Sequence, residues 1–246
     1  VQSKNLGYNK DNLIQVIMEG DLQSKYSLFK TELLSTPAIQ SVSRVSESPT
    51  DSYGSTAAVY WTGKDTTQTT MFTQVGVGYD YMKTMKMELV EGREFSKDFP
   101  SDTANYIINE SALKVTGYKD PIGQPFALFR TRGKIIGVVK DFHFHSMHTA
   151  IGPMIFKYGE NMPGDVLIRT QPGKTQESVK LIESLCKQLN PAFPPSYNFV
   201  DEQYQKLYQN EQIVNKLSDA FAFLAIFISC LGLFGLASFV AEQRKK

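Results

Sequence analysis

The sequence predicts an α+β fold that ends in one very long helix, and three observations carry that reading. Short runs rich in β-branched and aromatic residues recur along most of the chain. Two helical patterns, over residues 22–35 and 175–189, each lie between two such runs. Beyond Asp201 no helix breaker interrupts the chain, and Ala220–Ala241 is a run of 22 residues without a charge.

The elements follow in order. Asn12–Met18 (NLIQVIM) reads as a strand. Asp21 is placed to cap a helix over Leu22–Ser35, with Leu22, Tyr26, Phe29, Leu33 and Leu34 on one face and Pro37 as its stop. Ile39–Val45 alternates as a second strand, which completes a compact strand–helix–strand unit. Ser46–Ser55 is polar and holds Pro49 and Gly54, the mark of a loop or a boundary. Strands are expected at Thr56–Gly63 and Gln68–Val77, a short helix at Gly78–Met85, and extended chain at Glu88–Phe95. Asn105–Asn109 is a strand leading into a short helix at Glu110–Val115, and Lys119–Gln124 is a turn. Phe126–Phe129, Lys134–Val139 and Met154–Tyr158 are strands. Asp165–Arg169, the helix Thr175–Leu189 and Ser196–Val200 form a second strand–helix–strand unit. That helix buries Val179, Ile182, Leu185, Cys186 and Leu189. The two units flank the strand-rich middle and are expected to share one sheet.

Glu202–Arg244 reads as a single helix of about 43 residues, roughly 65 Å long. Its first half is amphipathic, with Asp201 and Glu202 suited to the positive end of the helix dipole. Its second half, Ala220–Ala241, would reach roughly 33 Å as a helix, enough for a hydrocarbon core of about 30 Å. Arg244, Lys245 and Lys246 then mark the cytoplasmic side and place the preceding residues outside the inner membrane. The competing reading is a buried core helix of a soluble protein. Ser218, Ala222, Ala225, Ser229, Gly232 and Gly235 fall in a stripe of small residues, the kind of face along which helices approach closely in lipid. The chain starts at Val1 with no signal peptide, so a piece of a longer membrane protein with a preceding span is expected.

Composition excludes several classes. A net charge of +1 with no basic run before the last residues gives no reason to expect nucleic acid. Two cysteines, one of them inside the apolar run, make no disulfide framework. No Walker sequence, complete dinucleotide loop or G-x-S-x-G occurs, so neither a cofactor nor a catalytic residue is assigned. All three histidines, His143, His145 and His148, stand in DFHFHSMH beside Asp141 and are the candidate metal ligands. Phe142, Phe144 and Met147 fit a strand end packed on the core equally well, and a metal site is not expected.

Several segments, taken in chain order, resemble the FtsX-like and MacB-like permeases of ABC transporters. Asn5–Ile14 (NLGYNKDNLI) is similar to the exit from their first membrane helix. Asn109-Glu110, then Asp120–Phe126 (DPIGQPF) and Ile135–His148 (IIGVVKDFHFHSMH), resemble their periplasmic core. Val200–Gln212 (VDEQYQKLYQNEQ) resembles their stalk, and Leu217–Lys246 the start of the permease domain.

The resemblance implies a periplasmic porter-like α/β subdomain in two parts, residues 1–48 and 161–201, with a β-rich insertion at 49–160. A stalk at 202–219, a transmembrane helix at 220–241 and a cytoplasmic edge at 242–246 would follow. It implies a permease subunit that is not an enzyme and that transmits the motion of a separate ABC-type ATPase. Such work includes efflux of peptides or antibiotics and action on lipoproteins or the cell envelope. The implied partners are that ATPase, a second permease copy or half, membrane lipid and a partner protein in the periplasm. The competing function is the ligand-sensing ectodomain of a membrane-anchored receptor, which also has an extracytoplasmic α/β domain and a long exit helix.

Overall fold

A computed structural model describes residues 8–48, 53–65, 67–143 and 151–243. The chain divides into two compact units, Val1–Gln203 and Tyr204–Lys246.

In the first unit β1 (Leu13–Val16), α1 (Tyr26–Leu34) and β2 (Ile39–Val45) form one strand–helix–strand piece. β11 (Asp165–Thr170), α4 (Thr175–Leu189) and β12 (Tyr197–Phe199) form the other. Their strands join in the order β12-β1-β11-β2, every neighbour antiparallel. The two pieces therefore share a sheet, as expected. Ile14, Val16, Phe29, Leu33, Val42, Ile168, Ile182 and Leu185 make the core between this sheet and the two helices. α2 (Tyr81–Met85) packs on β2 and β11 as well. Leu13, Ile14 and Val16 are all buried, and so is Gln15 between them, which donates to the Asp165 carboxylate at 2.5 Å and accepts from the Ser48 hydroxyl at 2.9 Å.

The start of α1 departs from expectation. Asp21 does not cap it: residues Gly20–Leu22 form a short 3-10 turn, and α1 begins at Tyr26 after Lys25, whose side chain makes no cap. Asn190, beyond the end of α4, holds this turn by accepting from the Asp21 N–H at 3.3 Å and donating to the Glu19 carbonyl at 2.9 Å. A contact from the far end of the chain thus overrides the local capping signal. Leu34 is also 43% exposed, since Tyr26, Phe29, Lys30 and Leu33 already complete the buried face.

The middle of the chain supplies the rest of the sheet, in the order β5-β10-β7-β9-β8-β4, with β3 on β5 and β6 on β9. These are β3 (Ser55–Thr56), β4 (Val59–Trp61), β5 (Phe72–Val77), β6 (Leu89–Gly92), β7 (Tyr106–Asn109), β8 (Pro125–Leu128), β9 (Thr131–Val139) and β10 (Met154–Tyr158). β10 runs parallel to β5, and β7 to β9. One residue pair, Val45 with Val77, joins β2 to β5. Phe72, Tyr106, Ile108, Phe126, Ile135, Val138 and Ile155 form a second core. The strand expected over Thr56–Gly63 is broken in two because its halves serve different neighbours, β3 pairing with β5 and β4 with β8. The strand expected from Gln68 begins only at Phe72. α3 (Glu110–Thr116) is capped by Asn109, which accepts from the Ala112 N–H at 3.0 Å, and closed by Gly117 at φ +70°.

α5 runs from Val200 to Gln243. Among the described residues no helix is long and apolar enough to cross a membrane. The crossing expected at Ala220–Ala241 lies partly outside the described side chains. Both cysteines are free: Cys186 is buried, and Cys230 is exposed on α5.

Candidate functional site

The antiparallel pairing of β1 with β12 decides where the chain enters and leaves its sheet. Ile14 lies opposite Phe199, and Val16 opposite Tyr197. The segment before β1 and the start of α5 at Val200 therefore stand side by side at one end of the sheet. Val200 is fully buried there, and the Glu202 N–H donates to the Asp201 carboxylate at 3.0 Å. The acidic pair serves the helix start, as its position suggests.

Arg169 sits at the same end, opposite Leu13 in the register of β1 with β11. It is 1% exposed. Its guanidinium donates to the backbone carbonyls of Asn9 and Asp11 and to the Asn9 side-chain oxygen. Its Nε donates to the Thr84 carbonyl at 2.8 Å, at the C-terminal end of α2. A helix C-terminus carries partial negative charge, so the cation suits it. The Asn9 N–H in turn donates to the Met85 carbonyl at 3.0 Å, and the Thr170 N–H to the Asn12 carbonyl at 2.9 Å. One side chain thus ties the entry segment, β11 and α2 together. Burial pulls the Arg169 pKa down to about 10, with the nearby Asp11 charge opposing the shift. Sequence reasoning passed over this residue. Its only signal was a charge directly after the apolar run Val166–Ile168.

A second polar knot lies in the middle of the chain. Asn109 donates to the Asp141 carboxylate at 2.8 Å and to the Gly152 carbonyl at 2.9 Å, while its oxygen accepts from Met154 N–H at 2.8 Å. Asp141 also accepts from the Ser111 N–H at 2.9 Å and hydroxyl at 2.7 Å. The Asn109-Glu110 and Lys140-Asp141 segments singled out in the sequence therefore meet, and they fasten β7, α3 and β9 to one another. Phe142 is buried and stacks on Phe156 at 5.9 Å.

This geometry bears on the histidines. Asp141 is already held by Asn109 and Ser111. His143 is half-buried, and His145 and His148 lie outside the described residues. No group of His, Cys, Asp or Glu among the described residues is placed to hold a metal.

The small-residue stripe on α5 is exposed at Ser218, Ala222, Ala225, Ser229, Gly232 and Gly235. A Cβ added at Gly232 or Gly235 would meet open space. Ser218 and Ser229 each donate to the carbonyl one turn back, at 2.9 and 2.8 Å. Their hydroxyls are satisfied inside the helix, the arrangement that polar side chains need in an apolar surrounding.

The family model for the MacB-like periplasmic core domain matches residues 2–182. Among solved structures, the periplasmic region of MacB from Actinobacillus actinomycetemcomitans superimposes with a TM-score of 0.56 at 17% identity, covering 84% of this chain and 97% of that one. The extracellular domain of the noncanonic ABC-type transporter YknZ from Gram-positive bacteria gives 0.52 at 18% identity, covering 76% and 98%. A domain of a putative permease protein from Porphyromonas gingivalis gives 0.53 at 14% identity, covering 78% and 92%. No curated protein matches the chain. The match to the family model spans most of the sequence, and the mixed sheet with its flanking helices is the fold these structures share: the chain belongs to the family of MacB-like periplasmic core domains.

Proposed function

We propose that this chain is the periplasmic part of an ABC transporter permease subunit that passes ATP-driven motion across the inner membrane and catalyses nothing itself. The observation that carries the proposal is the pairing of β1 with β12, which brings the entry segment and the start of α5 to one sheet end. Motion arriving along either connection then acts on the same place, and Arg169 spreads it to β11 and α2. On this reading residues 1–48 and 161–201 are the porter-like subdomain and 49–160 its insertion, a division supported by the order of the strands. Residues 202–219 serve as stalk, 220–241 cross the membrane and 242–246 reach the cytoplasm, a reading supported by the uncharged run and the basic residues after it. The stripe from Ser218 to Gly235 packs against a second permease copy or half. A separate ATPase supplies the energy, and a peptide, antibiotic or envelope protein receives the work.

The test breaks the proposed transmitter. Asn215→Pro removes one backbone donor inside α5 and clashes with the preceding turn, costing about 3 kcal/mol of helix stability or more. In the full permease with its ATPase, ATP hydrolysis in membranes is expected to persist while transport or resistance in cells falls. Full transport by a variant whose helix is demonstrably broken would rule the transmitter out.

A further inference from the structure

A cleft of about 300 Å³ opens between α1, the end of β2 and the loop after β10, and Tyr26, Lys30, Arg44, Lys97 and Glu160 line it. At about 30 Å³ per water it holds roughly ten waters, room for a molecule the size of a dipeptide. Arg44 follows Val42 by two residues on β2, so the two share a face: Val42 enters the core under α1 and α4, and Arg44 reaches the cleft.

The charges in this cleft are unevenly matched. Lys30 lies 3.2 Å from the Asp80 carboxylate and 3.9 Å from that of Glu160, and Glu160 also accepts from the Tyr158 hydroxyl at 2.9 Å. Both carboxylates are thus engaged elsewhere. Arg44 is 4% exposed and has no carboxylate within ion-pair distance among the described residues, the Glu160 and Asp165 charges reaching it only from further away. One of its terminal nitrogens donates to the Glu160 backbone carbonyl at 3.0 Å and the other to the Gln23 side-chain oxygen. Its Nε is buried without a hydrogen-bond partner. The Tyr26 ring lies 5.1 Å from the guanidinium carbon. Burial depresses the Arg44 pKa, and burial followed by the Glu160 charge raises that of Tyr26, so the ring stays neutral and supplies no counter-charge. Lys97, exposed at the rim, adds a second cation over the Tyr79 ring at 5.6 Å.

We propose that this cleft binds the carboxylate of a small solute, in the manner of a short peptide's free C-terminus, with Arg44 and Lys97 as its cationic contacts. A buried cation without a direct ion pair is costly, and an incoming carboxylate supplies one with hydrogen bonds suited to a guanidinium.

The inference stands apart from the permease reading, because binding is measured on the chain alone and its failure leaves that reading untouched. Calorimetric titration of the whole chain in detergent with alanyl-alanine is expected to give saturable binding, with a Kd on the order of 1 mM or tighter. The same dipeptide as its C-terminal amide is expected to bind at least about tenfold more weakly. Lys97→Ala, at an exposed position that leaves folding intact, is expected to weaken alanyl-alanine about threefold. Arg44→Met is expected to abolish binding while retaining the circular-dichroism spectrum. Should Arg44→Met not fold, the amide and the Lys97 variant decide the matter. Equal binding of acid and amide, no binding of alanyl-alanine, or tighter binding of inorganic phosphate would each overturn the proposal.

Discussion

Two parts of the sheet use an arginine as a fastener, and they treat its charge in opposite ways. In the four-stranded end, β12-β1-β11-β2, Arg169 is buried and grips the backbone carbonyls of Asn9, Asp11 and Thr84. In the larger part, Arg93 follows β6 and makes a two-pronged contact with the buried Asp102 carboxylate, at 2.6 and 2.8 Å. Asp102 stands in a 3-10 turn, Pro100–Thr103, that the sequence reading did not anticipate. A carbonyl has no proton to gain, so the first fastener holds across the whole acid range. A carboxylate neutralises its partner but is lost when protonated. The end that receives both chain connections thus carries the fastener that acid leaves intact.

Two measurements test that contrast, and a third tests the outer edge of the sheet. The largest effect is expected from Arg169→Met, which keeps much of the side-chain volume but strands three backbone carbonyls, the buried one of Thr84 among them. At about 1–3 kcal/mol for each stranded group, a loss of about 4 kcal/mol is expected in urea unfolding, together with faster amide exchange over residues 9–12. A loss below about 1 kcal/mol would mean the clamp carries little.

Asp102→Asn is expected to cost less, about 2 kcal/mol near neutral pH, and its cost should depend on acid. Burial alone would raise the Asp102 pKa, but donors from Arg93, Ser96 N–H and Asn105 outweigh it and hold the carboxyl below its ordinary value. The stabilisation is therefore present above the unfolded value of about 3.9 and is lost as pH falls through the lower folded value. Wild type and Asp102→Asn should begin to converge in stability below about pH 4, whereas the gap between wild type and Arg169→Met should change less there, since only the nearby Asp11 charge links it to acid. Parallel acid profiles for both variants would remove the distinction.

The smallest effect is expected at the outer edge. β4 is the last strand of its end of the sheet, and Lys64 folds back onto it, donating to the Ala57 and Val59 carbonyls at 3.2 and 2.6 Å beside the Tyr60 and Trp61 rings. A lysine so placed blunts an edge that would otherwise pair with another chain. Lys64→Ala should change stability by no more than about 0.5 kcal/mol, yet favour self-association in sedimentation at high concentration. An unchanged monomer would show that Lys64 does not guard the edge.

The comparison also separates what was readable from what was not. α4 was legible to the residue, because Ile182, Leu185, Cys186 and Leu189 repeat at helical spacing and the prolines after Asn190 stop it. β2, α3 and β10 were legible for similar local reasons. The cap at Asp21 was misread because Asn190, 169 residues away, holds that turn. Of the candidate site, the sequence pointed to Asn109 and Asp141 through segments of family resemblance, and to the stripe on α5. Arg44 and Arg169 it could not single out.

By itself, then, the sequence determined the number and kind of most elements, the two strand–helix–strand pieces, the long terminal helix and the family. These depend on periodicities of two and about 3.6 residues, which act between near neighbours and are written in the chain. The tertiary structure alone decided that β1 lies between β12 and β11, that Arg169 clamps the entry segment 160 residues before it, and that Arg44 is buried without a direct ion pair among the described residues. Strand order and the fate of a buried charge are set by which distant surfaces meet when the sheet closes, and no local pattern in the chain records that.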